Sequence, residues 1–158
     1  MFIQSEYNEN DARAKNKLIE LFSETPRYNR CVLNEPLNPY TVDFYVNDSN
    51  GKHIANIEVE VKNAWRTFDF TYSDIQLLPR KKKFWVDPTH HLNKPTMFVM
   101  FNRDLSNHLV IMSDVMQQIY FGSASRSYGT EKTRNDDFFV AKKSQVLFSY
   151  FGSKKAST

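Results

Sequence analysis

Apolar positions along the chain change their spacing several times, and each change predicts an element. Between residues 8 and 23, Ala14, Leu18, Leu21 and Phe22 recur at helical spacing, with Asn8 or Asn10 placed to cap the start and Pro26 beyond the end. One face of that helix is expected to pack on a sheet. A short edge strand is predicted near Cys31 to Leu33, after which Pro36 and Pro39 force extended or turning backbone. In Thr41 to Val46 the period becomes two: Val42, Phe44 and Val46 are expected to point one way, and Thr41, Asp43 and Tyr45 the other. Asp48-Ser49-Asn50-Gly51 supplies turn chemistry. The chain then returns from His53 to Lys62, with Ile57, Val59 and Val61 alternating with Glu58, Glu60 and Lys62. These two runs predict a hairpin.

Further along, Phe68 to Leu78 reads as extended, and Pro79 suits the first turn of a helix running through Arg80-Lys81-Lys82-Lys83-Phe84-Trp85. Met97 to Phe101 and Leu109 to Met112 are apolar without alternation, the pattern of central strands covered on both faces. Ser113-Asp114 predicts the cap of a short helix through Tyr120, and the polar stretch from Gly122 to Asp137 predicts a long mobile loop. A last strand is expected from Gln145 to Phe151. Residues 1–151 are read as one domain and residues 152–158 as a flexible tail.

Composition narrows the class. The chain has 158 residues, 41% of them hydrophobic, enough apolar surface to offset the chain entropy lost on folding. Cys31 is the single cysteine, so a disulfide or thiolate cluster within the chain is excluded and an intracellular, soluble setting is expected. MFIQSEYNEN has no basic segment followed by an apolar run, so no secretion signal is expected, and no stretch is long enough to cross a bilayer. Charge is segregated: residues 1–79 hold eight Lys+Arg against twelve Asp+Glu, whereas residues 80–158 hold thirteen against six. An acidic first half suits a metal site and a basic second half suits a polyanion, although uneven surface charge without purpose gives the same counts.

The chemistry concentrates on the hairpin, whose polar face carries Asp43, Glu58, Glu60 and Lys62. Three carboxylates and an amine on one sheet face are costly unless something compensates, since like charges repel and burial penalises each one. A hard divalent cation compensates. Mg²⁺ prefers oxygen ligands and keeps several waters, so one or two carboxylates plus phosphate oxygens suffice to hold it.

A strand Asp followed across a hairpin by Glu-X-Lys, here Asp43 and Glu60-Val61-Lys62, resembles the PD-(D/E)XK nuclease superfamily. The order of elements over residues 8–112 is similar to its αβββαβ, restriction-endonuclease-like core, a mixed central sheet flanked by helices. The resemblance implies a metal-dependent endonuclease that hydrolyses phosphodiester bonds through a metal-activated water. Asp43 and Glu60 would ligate Mg²⁺, for which Mn²⁺ would substitute, while Lys62 would orient the attacking water and stabilise developing charge. The family's Pro-Asp is Val42-Asp43 here, with the nearest upstream proline at Pro39; the chemistry does not require that proline. DNA is the expected substrate on the resemblance alone, because nothing in the sequence reads deoxyribose against ribose. Small one-centre nucleases often dimerise to address two strands, but the sequence shows no interface.

Other polar residues have plainer readings beside the functional ones. Glu58 reads either as an extra metal ligand or as a solvated residue, the second being favoured. Glu20 falls on the helix side away from Leu18, Leu21 and Phe22 and reads as surface. His90-His91 are adjacent on an extended segment and receive no metal. In the basic run Arg80, Lys81 and Lys82 are candidate phosphate contacts, Arg80 first, against the alternative of a solvated face anchored by Phe84 and Trp85. Gln76 resembles the additional Gln of resolvase-like superfamily members. Arg126, Lys132 and Arg134 are placed to grip a nucleic-acid backbone from the polar loop. A non-catalytic nucleic-acid-binding module with the same fold and an RNA-cleaving nuclease are the alternatives. A small-molecule hydrolase is disfavoured, since no Gly-X-Ser-X-Gly elbow, Gly-rich phosphate loop or Cys-His pair stands at a telling position.

Overall fold

The computed structural model describes residues 4–77, 79–116, 120–127 and 133–151. The tail at 152–158 and Lys132 lie outside them. The protein is mixed α/β, with a mostly antiparallel central sheet flanked by helices.

Helix α1 (Gln4–Glu24) buries Ala14, Leu18 and Phe22, as their spacing requires. Its end is tied down by Thr25, whose hydroxyl donates to Leu21 O at 2.6 Å and lies on Phe151 O. Strands β1 (Val32–Asn34), β2 (Phe44–Asn47) and β3 (His53–Val61) form an antiparallel meander. The β2–β3 turn closes around the Asp48 carboxylate, which accepts the N–H groups of Asn50 and Lys52 at 2.9 Å each. Gly51, at φ 79°, takes the left-handed conformation there.

After β3 the chain leaves the central sheet. It runs through β4 (Asp74–Leu77), a 3-10 turn (Pro79–Lys82), α2 (Lys83–Val86) and α3 (Pro88–His91), then re-enters as β5 (Thr96–Phe101), parallel to β3. Strands β6 (His108–Met112) and β9 (Leu147–Phe148) complete the sheet in the order β1-β2-β3-β5-β6-β9. All six residues of β5 are buried, the doubly covered strand expected from an unbroken apolar run.

One face of the sheet packs Phe44, Val46, Ile57, Val59, Val99 and Phe101 against α1. The other packs Phe98, Met100, Leu109 and Ile111 against Phe84 and Trp85 of α2, Ile75 and Leu77 of β4, and Met116 of α4 (Ser113–Met116). Two apolar layers thus enclose the sheet, and each fully buried large side chain contributes about 1.5–3 kcal/mol.

Three sequence expectations are corrected. The segment read as a mobile loop forms β7 (Tyr120–Ser127) and β8 (Thr133–Lys142), which make a second antiparallel sheet in the order β4-β8-β7. Its polar residues hid a ladder that depends on β4 for a partner. Helix α4 is described as far as Met116, and Tyr120, expected at its end, belongs to β7. Val42 packs with the face opposite Phe44, because the backbone bends at residues 41–43 before β2 begins. Among the described residues no helix is long and apolar enough to cross a membrane.

His108 locks the end of the described chain onto this core. It is 4% exposed, its Nε2 accepts the Phe151 N–H at 3.1 Å, and its ring stacks on Phe151 at 5.3 Å. Burial, assisted by the charge of Lys17, pushes its pKa from 6.5 down to about 4. A depressed imidazole stabilises the fold above its unfolded value, and the contribution is lost as pH falls from 6.5 through about 4. We predict a loss of about 3 kcal/mol from this group across that window. His108→Gln, which keeps an acceptor for the Phe151 N–H, should flatten the slope in thermal unfolding measured against pH. Identical slopes would show that the ring does not titrate on folding.

Candidate active site

Residues from four parts of the chain meet at the polar face of β3. Glu58 and Glu60 point away from α1 because Ile57, Val59 and Val61 point toward it. Lys62 follows β3 directly, and its N–H extends the parallel ladder to Phe101 O at 2.8 Å. Buried Trp65 holds this exit in place: its N–H donates to Lys62 O at 3.0 Å, and its indole N–H to Asp69 O at 3.0 Å.

Asp43 enters from the bend before β2. Its Oδ2 accepts the Val59 N–H at 2.8 Å, so the carboxylate does the work of a missing ladder bond. Asp43 lies just before Phe44, which pairs with Ile57, and its charge acts on Glu58. Its Oδ1 lies 3.7 Å from Lys15 Nζ of α1, an ammonium shared with Asp11 at 3.3 Å and Glu35 at 3.5 Å.

Glu58 is the inward-facing acid of the group, and this overturns the favoured solvated reading. Its side chain is 11% exposed, Oε1 is bonded to Lys81 Nζ, and Oε2 is buried without a hydrogen-bond partner among the described residues. Burial pushes its pKa up to about 7; Lys81 pulls it down, and the neighbouring Asp43 charge pushes it further up. Asp43 is raised as well, by burial first, against the Val59 N–H bond and the Lys15 charge. Glu60 behaves differently. Burial would raise it, but the charges of Lys62 and Lys81 outweigh burial and hold it below the usual carboxylate value. Lys62 Nζ lies 3.0 Å from Glu60 Oε1 and also donates to Gln76 O at 2.8 Å.

The basic run divides. Lys81 is 6% exposed and turned onto Glu58, so it is not a surface phosphate contact. Burial alone would lower its pKa, but Glu58 and Glu60 outweigh burial and raise it. Lys83 is committed to Tyr40 O at 2.8 Å. Arg80 and Lys82 are exposed, and the Arg80 charge reaches Glu60. The inward turn follows from anchoring on either side: Leu77 is buried before the 3-10 turn and Phe84 and Trp85 after it. Gln76 reaches the site through its backbone carbonyl, while the residue itself is exposed on β4. Arg126 and Arg134 lie opposite each other on the β7–β8 ladder. Glu20 is exposed and paired with Lys17, and His90 bonds Thr41 Oγ1 at 3.0 Å.

Sequence reasoning missed Lys15 and the role of Lys81. Lys15 left a faint signal, an i, i+4 pair with Asp11 beside the Ala14–Leu18 stripe. Nothing local marked Lys81 as the inward member of four consecutive basic residues.

The donor chemistry fits a hard cation. Asp43 and Glu58 lie side by side, and one Glu58 oxygen has no donor among the described residues. Among the described residues no three His, Cys, Asp or Glu side chains stand together at metal-ligating spacing. The protein would therefore supply two carboxylates and leave other positions to water and phosphate oxygens, an arrangement Mg²⁺ accepts.

The Lys81–Glu58 pair has a measurable signature in EDTA. Removing the ammonium leaves a buried carboxylate without its charged partner, and Glu58 escapes the full penalty by taking up a proton. Lys81→Met is expected to cost about 2 kcal/mol near pH 8 and less near pH 6. Adding Glu58→Gln should remove the pH dependence, as read by urea unfolding. Equal losses at both pH values would contradict the pairing.

No protein-family model, curated protein or solved structure matches the chain.

Proposed function

We propose that this protein is a metal-dependent endonuclease hydrolysing phosphodiester bonds, with DNA as substrate, and that its centre contains Asp43, Glu60 and Lys62. The observation that carries the reading is the convergence of Asp43, the β3 glutamates and Lys62, with a buried Glu58 oxygen that has no hydrogen-bond partner among the described residues. The meander β1-β2-β3 and the parallel return of β5 beside β3 support the resemblance to the αβββαβ, restriction-endonuclease-like core.

A divalent cation such as Mg²⁺ or Mn²⁺ supplies, when bound, Lewis acidity toward phosphate oxygens and water. Asp43 and a glutamate of β3 would be the oxygen donors for it. Lys62 carries a fixed positive charge held by Glu60 and Gln76 O, which suits stabilisation of charge developing on a phosphate. Exposed Arg80 and Lys82 suit contacts to the phosphate backbone flanking the cut. A second reading, a nucleic-acid-binding module without catalysis, is favoured by one observation: Asp43, Glu58 and Glu60 each already face a lysine.

Cleavage of plasmid and single-stranded DNA and RNA with Mg²⁺, Mn²⁺ or EDTA separates the readings. Metal-dependent cleavage is expected, reduced at least about 100-fold by Asp43→Ala, Glu60→Ala or Lys62→Ala. Full activity in Glu60→Ala or Lys62→Ala would sink the mechanism, and salt-sensitive binding without any cleavage would establish the second reading.

A further inference from the structure

We propose that the cation of this centre is seated by Asp43 and Glu58, not by Asp43 and the Glu60 of the Glu-X-Lys motif, and that Lys81 holds the Glu58 charge when no cation is bound. The inference rests on the nuclease reading and concerns which glutamate serves it.

Strand register is the first argument. The β2–β3 ladder begins at the Phe44–Ile57 pair, so Asp43, just before Phe44, lies by the Glu58 end of that pairing, its Oδ2 on the Val59 N–H and its charge acting on Glu58, whereas Glu60 lies one strand repeat farther along β3. Side chains that adjoin in this way approach closely enough to share an ion, and those a repeat apart are separated by several further ångströms.

The satisfaction of each oxygen is the second. Glu60 Oε1 faces Lys62 Nζ at 3.0 Å, and that ammonium is itself fixed by Gln76 O at 2.8 Å. Glu60 is thus engaged with the amine next to it in the motif. In Glu58 only Oε1 is bonded, to Lys81, while Oε2 is buried and lacks any donor among the described residues. Asp43 also has a weakly committed oxygen: Oδ2 takes the Val59 N–H, and Oδ1 has, among the described residues, only the Lys15 ammonium at 3.7 Å. A buried carboxylate oxygen without a donor is costly, and a hard cation supplies what this one lacks.

The origin of Lys81 is the third. It comes from a four-residue 3-10 turn rather than from the sheet, and its ammonium also lies in the field of Glu60. An ammonium so placed neutralises the acids of the cation-free protein and competes with a cation for Glu58.

The test is Mn²⁺ binding to the full chain without nucleic acid, followed by the EPR signal of free Mn²⁺ and by the Mn²⁺-induced rise in melting temperature. Glu58→Gln is expected to weaken binding at least about tenfold and to abolish the rise, while Glu60→Gln stays within about threefold of the native protein. The reverse ranking, or native affinity in Glu58→Gln, overturns the inference while leaving the nuclease reading intact. A native protein that neither binds Mn²⁺ nor cleaves overturns both. Should Glu58→Gln fail to fold, Lys81→Met decides: the competing ammonium is gone, so Mn²⁺ binding should tighten several-fold. Unchanged or weaker binding would overturn the proposal.

Discussion

Strand β3 is covered on both sides, yet only one of its faces is apolar, and the architecture around it answers that constraint. Residues Ile57, Val59 and Val61 meet α1, whereas Glu58 and Glu60 face the layer built from β4, the 3-10 turn and α2. Ionised carboxylates beneath such a layer are stable only with opposite charge beside them, because desolvation at that depth exceeds what hydrophobic packing nearby returns. The cations arrive from separate places: Lys62 from the end of β3, Lys81 from the crossover, Lys15 from α1. The crossover must dock where it does for Lys81 to reach Glu58, and Phe84 and Trp85 drive that docking by their own burial. Hydrophobic and electrostatic demands on the segment coincide.

In the proposed function, the same arrangement would serve the chemistry. Positive charge is fixed by packing and by backbone carbonyls, so it would not need to reorganise if charge developed on a bound phosphate. The acids differ in character although they share a strand. Glu60, beside Lys62, is held ionised, while burial presses Glu58 and Asp43 toward the protonated form. Two carboxylates of raised pKa thus stand beside one of lowered pKa, although all three lie close together.

Much of this was legible from residue order. Period two in Ile57 to Lys62, period three to four in Ala14 to Phe22, and the unbroken apolar runs of β5 and β6 each report a local rule: alternate faces, one stripe, two covered sides. Those rules act within a few residues, so sequence alone determined the helix, the hairpin, the central strands and the placing of Glu58, Glu60 and Lys62 on one face. Tertiary structure alone decided which acid adjoins Asp43, which lysine of four turns inward, and that β7 and β8 form a ladder with β4. The placing of Asp43 depends on the bend at residues 41–43, and the inward lysine depends on the packing of other elements around its turn. Strand pairing of a polar segment depends on a partner far away in the chain. Each is a contact between distant parts, and its energy has no counterpart in local spacing.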